Sequence, residues 1–557
     1  MTETFWMQLP GDPVELHFMN EPETLWNRYQ EYLLRYEEDE LQFTLDISRM
    51  NFTAGWLKGM EPLCQAAFKH LEALENGELV NADEGRMVGH YWLRNPNLAP
   101  KPHLQQEIGT SVADAKRFAS VIHTGVVSPE KAEKFRNLLL IGIGGSALGP
   151  QLLKEALTDH TAPLKTWFFD NTDPDGMDRV LAEIGPEGLK ETLAVVTSKS
   201  GGTPETRNGM LEAKAAYEAA GLDFGKHAVA ITGSESKLDK LASEEGWLER
   251  FYMSDWIGGR TSVMSVVGLV PAALQKIEID EFLEGAAAMD TMTRQPETAQ
   301  NAAMLMALMW YSAGNGKGEK DMVVLPYKDR LSLFSNYLQQ LVMESLGKEF
   351  ERGEGPEDDE NRKRAEQGIA VYGNKGSTDQ HAYVQQLRDG INNFFAIFLE
   401  VGQGREGDSQ IVDPDTEATS ADFLQGFLRG TRDALYENGR ESMTISIPSV
   451  DAFHLGALIA LFERAVTFYA DLINVNAYHQ PGVEAGKKAA GEFLTLMNKV
   501  RNHLAYNRRV PFTAPAIAET LEANPEAVYH ILNHLAANSG AIRKPGNTPG
   551  EDSFTLI

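Results

Sequence analysis

A single cysteine, Cys64, stands in 557 residues, so no internal disulfide and no thiolate metal cluster can form. A reducing, cytosolic setting fits that scarcity. No apolar run reaches the roughly 18 residues a membrane span needs. Met1 to Glu15 contains acidic residues and no lysine or arginine, so no secretory leader is expected. Positive charge is also scarce: 51 Lys and Arg face 80 Asp and Glu, a formal net charge of -29. Such a surface repels nucleic acid and anionic membranes, and neither is expected as a partner. An anionic small ligand could bind only where cations gather locally. No cluster of histidine, cysteine and carboxylate reads as a metal site, so neither metal nor any other cofactor is expected.

What is present is enough for a large core, 42% of residues being hydrophobic. Residues 1–113 read as a helical N-terminal arm, with Leu25 to Leu41 amphipathic through Leu25, Tyr29, Tyr32 and Leu33. Residues 114–290 alternate apolar runs with helical stretches, the signature of a parallel α/β domain. The expected strands are 137–143, 166–170, 193–197, 227–232 and 250–253. Residues 291–510 repeat the pattern, with strands expected at 322–326, 369–372, 394–401 and 443–447. A C-terminal extension, 511–557, carries two helix-like stretches near 514–521 and 525–537. Two acidic stretches, 349–360 and 406–417, read as solvated loops.

The chemistry concentrates where strands hand over to helices. V-V-T-S-K-S-G-G-T-P-E-T, from Val195 to Thr206, joins an apolar strand to a helix through Ser198, Lys199, Ser200, two glycines and Thr203. Hydroxyls and loop N–H groups donate hydrogen bonds while the ammonium adds charge, which together suit a phosphate dianion. Gly142 to Ala147 fits G-x-G-x-x-G/A, includes Gly145 and Ser146, and leads to a helix expected from Pro150. With Asp170 at the end of the next apolar run, that motif makes an NAD-dependent dehydrogenase the main rival reading. The loop at Ser198 counts against the rival, because a dinucleotide fold needs no second phosphate cradle two strands on. Gly258-Gly259-Arg260 aims an arginine from a tight turn. Met343-Glu344-Ser345-Leu346-Gly347-Lys348 ends a helix expected over 331–347, with Gln340 one turn earlier. Thr378 to Ala382 carries His381 near a helix start, and Gln480 to Lys487 is another turn-to-helix entry. Each of these stretches, alone, could be ordinary structure.

Taken in order, GIGGS, SKSGGTPET, DWIGGRTS, MESLGK, NKGSTDQHA and QPGVEAGK resemble the phosphoglucose isomerase family of the sugar-isomerase (SIS) domain superfamily, over residues 40–505. The resemblance implies two SIS-type doubly wound α/β domains and reversible isomerisation of glucose 6-phosphate and fructose 6-phosphate. By the same resemblance Ser198, Lys199, Ser200 and Thr203 would form the phosphate cradle, and Gly145, Ser146 and Gly259 would line the sugar site. Arg260 would stabilise the enediolate, Glu344 would be the base, and Gln340 and Gln480 would touch the ligand. His381 and Lys487 would open the ring, with His381 reaching the site of the neighbouring chain in a homodimer. Ser200 stands where threonine is common, and Leu346 where the family often reads asparagine. A third reading is a sugar-phosphate sensor that kept the cradle and lost the base. The joint presence of Glu344, His381 and Lys487 weighs against it.

Overall fold

The computed structural model describes residues 22–557 except 38–40, 82, 354–362 and 408–409, with no side chains described at 483–485. The chain divides after His479 into two units.

In the first unit the Pro22–Tyr32 helix runs directly into strand β1 (Leu33–Tyr36), which pairs antiparallel with β2 (Phe43–Arg49). This corrects the helical reading of 25–41: the backbone turns to strand after Tyr32. In β2, Phe43, Leu45 and Ile47 alternate with Thr44, Asp46 and Ser48, a period-two pattern. Long helices follow at Ala54–Glu75 and Pro102–His123.

Five strands then form an all-parallel sheet: β3 (Asn137–Ile141), β4 (Lys165–Phe169), β5 (Thr192–Ser198), β6 (Ala228–Thr232) and β7 (Glu249–Tyr252). Their spatial order is β4-β3-β5-β6-β7. Leu138, Leu140, Leu193 and Val195 join one core, whereas Leu139, Ile141, Ala194 and Val196 join another. Alternate side chains therefore pack against opposite helical layers, as a doubly wound sheet requires. The order reverses direction at β3 and β5, so their carboxyl ends open a crevice.

The second sheet takes β8 (Asp321–Pro326), β11 (Val371–Tyr372), β12 (Phe394–Val401) and β13 (Ser442–Ile447) in parallel, and β1 and β2 complete it antiparallel. Its order is β1-β2-β13-β12-β8-β11. Between β8 and β11, β9 (Lys348–Phe350) and β10 (Arg364–Gln367) form a hairpin. The acidic stretch from Glu349 thus begins as a strand rather than a loop, and its remainder from 354 lies outside the described residues.

One core spans the inner faces of both sheets and three buried helices, Val266–Leu274, Ala302–Ala313 and Ala452–Leu472. The last crosses Ile279–Thr293 on glycines: a Cβ at Gly285 would lie 1.8 Å from the Phe453 carbonyl oxygen. Charges buried in this core are paired. Arg94 Nε lies 3.0 Å from Asp290, and Arg94 also donates to Glu463 at 3.1 Å. Arg464 donates to Glu75 at 2.6 Å and to Asp290.

The second unit has its own core around Val500, Ile517, Val528, Leu532 and Phe554. After the Pro481–Tyr506 helix come β14 (Phe512–Thr513), helices Ala514–Leu521 and Pro525–Asn538, then β15 (Ala541–Lys544) and β16 (Ser553–Leu556). The sheet order is β14-β16-β15. Two helices joined by a tight turn at Glu522 (φ 50) and followed by a β-hairpin make a helix–turn–helix with a wing. The sequence showed the helices but not the strands. The exposed side of Pro525–Asn538 carries Glu526, His530 and His534 rather than lysine or arginine.

Candidate active site

The first loop begins where β3 ends. Gly144 adopts φ 57 and ψ -124, a conformation that suits glycine, and the following helix starts at Gly145 rather than at Pro150. A Cβ on Gly145 would stand 1.9 Å from the carbonyl oxygen of Gly259. The backbones of the first loop and the Gly258–Arg260 turn therefore touch. A Cβ on Gly144 would lie 3.0 Å from Gln340 Nε2, which brings Gln340 to the same loop. Ser146 is in the first turn of the helix.

The second loop follows β5. Ser198 Oγ donates to Thr203 Oγ1 at 3.2 Å, and the Gly202 N–H donates to Ser200 Oγ at 3.2 Å. Pro204 opens the Pro204–Ala219 helix, where its missing N–H costs nothing. Lys199 reaches out of this loop: its Nζ donates to the carbonyls of Asp255 at 3.0 Å and Ile257 at 2.9 Å. Burial lowers its pKa, partly offset by the Asp255 carboxylate. The lysine thus ties the hydroxyl loop to the segment that runs into Gly258–Arg260.

Arg260 is 6% exposed and sits in the Gly259–Thr261 turn. Its Nε lies 3.3 Å from Glu344 Oε2. The terminal nitrogens donate to Ser345 Oγ at 3.4 Å, the Ala477 carbonyl at 3.2 Å and the His479 carbonyl at 3.2 Å. Burial lowers its pKa, and Glu344 opposes that shift.

Glu344 lies near the end of a helical segment that a π turn interrupts. After a 3₁₀ turn at Asp329–Leu331, the expected 331–347 helix runs from Phe334 to Leu346, α-helical at Phe334–Leu338, π-helical at Gln339–Glu344 and α-helical again at its last two residues. Such π turns are rare and concentrate at functional sites. Gln340 and Glu344, four residues apart, keep to one side of it. Leu346 is fully buried in the central core behind the glutamate.

The structure thus gathers Gly145, Ser146, Gly259, Arg260, Gln340 and Glu344, and links Ser198, Lys199, Ser200 and Thr203 to them through Lys199. It does not bring His381 to them. His381 is exposed in the Asp379–His381 turn. Asp379 holds that turn by accepting from Asn374 N at 2.9 Å and Tyr383 Oη at 2.6 Å. Among the described residues no hydrogen bond or ion pair joins His381 to Arg260 or Glu344. Gln480 and Lys487 belong to the second unit, at the N-cap and in the second turn of Pro481–Tyr506. Sequence reasoning missed three partners of the pair: Ser345, Lys348 and His479. Ser345 and Lys348 both stood inside the quoted motif around Glu344, with nothing local to mark their roles. No group of three metal-ligating side chains gathers among the described residues.

Glycine and hydroxyl loops at the switch point of a doubly wound sheet, with a buried arginine against a carboxylate, are the arrangement expected of an enzyme acting on a phosphorylated sugar. Residues 46–433 and 431–510 match the family described as "Phosphoglucose isomerase". The chain belongs to the phosphoglucose isomerase family. It is 56% identical over 534 residues to the glucose-6-phosphate isomerase of Geotalea daltonii, covering 95% of this chain and 98% of the relative. Identity to that of Trichormus variabilis is also 56%, over 94% of this chain and 97% of the relative. Among solved structures, a glucose-6-phosphate isomerase from Chlamydia trachomatis superposes with a TM-score of 0.74 at 26% identity, covering 85% of this chain and 91% of that one. The dinucleotide reading of Gly142 to Ala147 gives way to this family.

Proposed function

We propose that this chain interconverts glucose 6-phosphate and fructose 6-phosphate through a cis-enediol, a step of glycolysis and gluconeogenesis. The observation that carries the reading is the Arg260–Glu344 pair, 3.3 Å apart and reached from separate α/β layers. A carboxylate on a rigid turn can take a proton from C2 of the opened aldose and return it to C1. The C2 hydroxyl becomes the carbonyl as the C1 aldehyde becomes an alcohol. The negative charge that develops on the enediolate oxygens falls beside a guanidinium already fixed by backbone carbonyls, so little reorganisation accompanies it.

In this reading the Ser198–Thr203 loop receives the phosphate, and Lys199 exchanges its carbonyl acceptors for phosphate oxygens. Gly145, Ser146, Gly259, Gln340 and Gln480 hold the sugar. His381 and Lys487 open the ring, His381 from the second protomer of a homodimer, which agrees with its exposed position here. The enzyme works in the cytoplasm, and no described helix is long and apolar enough to cross a membrane. A coupled assay for glucose 6-phosphate formed from fructose 6-phosphate tests the function. Turnover supports it; no turnover with a folded, phosphate-binding protein rejects it.

A further inference from the structure

Lys348 is 5% exposed, a lysine buried close to Glu344. Burying an ammonium is costly unless acceptors surround it. Here its Nζ donates to two backbone carbonyls, that of Glu344 at 2.7 Å and that of His479 at 2.9 Å. Both acceptors matter to the site. The Glu344 carbonyl lies at the carboxyl end of the π turn, where carbonyls lack partners along the helix and a cation is favoured. The His479 carbonyl is also an acceptor for Arg260 Nη2, at 3.2 Å. One ammonium therefore fixes the main chain of the carboxylate residue and the acceptor that orients the arginine.

We infer that Lys348 is a positioning residue for isomerisation. It holds the end of the Gln339–Glu344 turn against the 476–479 segment, so that the Glu344 carboxylate and the Arg260 guanidinium keep a fixed mutual geometry. This rests on Glu344 being the base. Around it His479 is held by the Asn476 carbonyl at 3.2 Å, and Asn476 by Asn81 at 3.0 Å and Asp83 at 2.6 Å. Without Lys348 that scaffold persists while the main chain of the π turn loses its tie to the His479 carbonyl, leaving only the contacts of Arg260 with Glu344 and Ser345. The expected consequence is misplacement of the carboxylate, and a shift near 1 Å costs about 100-fold in rate.

A double-mutant cycle tests this with Lys348→Met, Glu344→Gln and their combination. Lys348→Met should lower kcat about 10- to 100-fold and leave KM for fructose 6-phosphate within about threefold. Inorganic phosphate should raise its Tm as it does for the wild type, showing that the fold and cradle survive. In the Glu344→Gln background the same substitution should cost much less than in the wild type, because only its hold on the Arg260 acceptor remains to be lost. Equal losses in both backgrounds, or a Lys348→Met kcat within twofold of wild type, would overturn the inference. If the methionine variant does not fold, Lys348→Gln takes its place in the same cycle. Glu344→Gln alone reports on the base: near-normal activity there rejects Glu344 as the base, whereas an inactive Glu344→Gln beside a normal Lys348→Met rejects only the role of Lys348.

Discussion

Arg260 donates to three protein acceptors and faces Glu344, so its position is set before any substrate arrives. Arg260→Lys keeps a charge and loses the planar fork, and a lysine cannot serve all of these acceptors together. The expected result is a fall in kcat that exceeds any rise in KM, because the enediolate charge exists mainly in the transition state. Steady-state kinetics decide it: a raised KM at normal kcat would place Arg260 on the phosphate instead. Lys199→Ala should act in the opposite sense. Losing one charge-assisted contact, about 1.5–3 kcal/mol, should weaken substrate about 10- to 150-fold and remove most of the thermal protection given by inorganic phosphate. Equal protection of variant and wild type would contradict the cradle. These residues were legible in the sequence because each stands in a loop whose composition is odd for a mere connection. Ser345 and His479 were not, since what they do depends on a chain crossing that no local pattern records.

At the scale of elements, parallel strands buried on both faces appear in sequence as continuous apolar runs. β3, β5, β6, β8, β12 and β13 could accordingly be placed to within one or two residues, and the edge strands β4 and β7, though only partly buried, fell to within one. β1 escaped because it continues a helix without a break. β2 escaped although its alternation is present in Phe43, Leu45 and Ile47, because it stands far in sequence from the β13 strand it pairs with. The π turn that carries Glu344 had no local signal at all, so the helix expected over 331–347 was right in place but too regular. The contact between the first loop and the Gly258–Arg260 turn is equally a matter of three-dimensional approach, yet it can be tested at one residue. Gly145→Ala would push a methyl into the Gly259 carbonyl, and one backbone would have to move. The expected cost is about 1–3 kcal/mol in stability by denaturant unfolding, with a loss of kcat as Arg260 shifts. A variant with wild-type stability and rate would show that the loops can separate freely.

For the molecule as a whole, the buried charges of the central core give stability a pH dependence of predictable sign. Burial pushes the Glu463 carboxyl up to about 7 from an ordinary value near 4.5, with Arg94 opposing and Asp290 reinforcing the shift. The folded state therefore holds a proton that the unfolded chain releases. The stability this group contributes is full below about pH 4.5 and is lost as pH rises through about 7. Between those limits the Tm of the wild type should fall relative to that of Glu463→Gln; parallel curves would contradict the upward shift of the buried carboxyl. The central claim spans both sheets of the first unit: a carboxylate moves a proton between two carbons of a sugar held by its phosphate. Conversion of fructose 6-phosphate in deuterated water tests it most directly. A carboxylate that carries the proton exchanges it with solvent, so deuterium should appear at C2 of the glucose 6-phosphate formed, and Glu344→Gln should slow that product about 10²- to 10⁴-fold. Glucose 6-phosphate formed at the wild-type rate with no deuterium at C2 would mean that hydrogen passes directly between the carbons, and the account would be wrong.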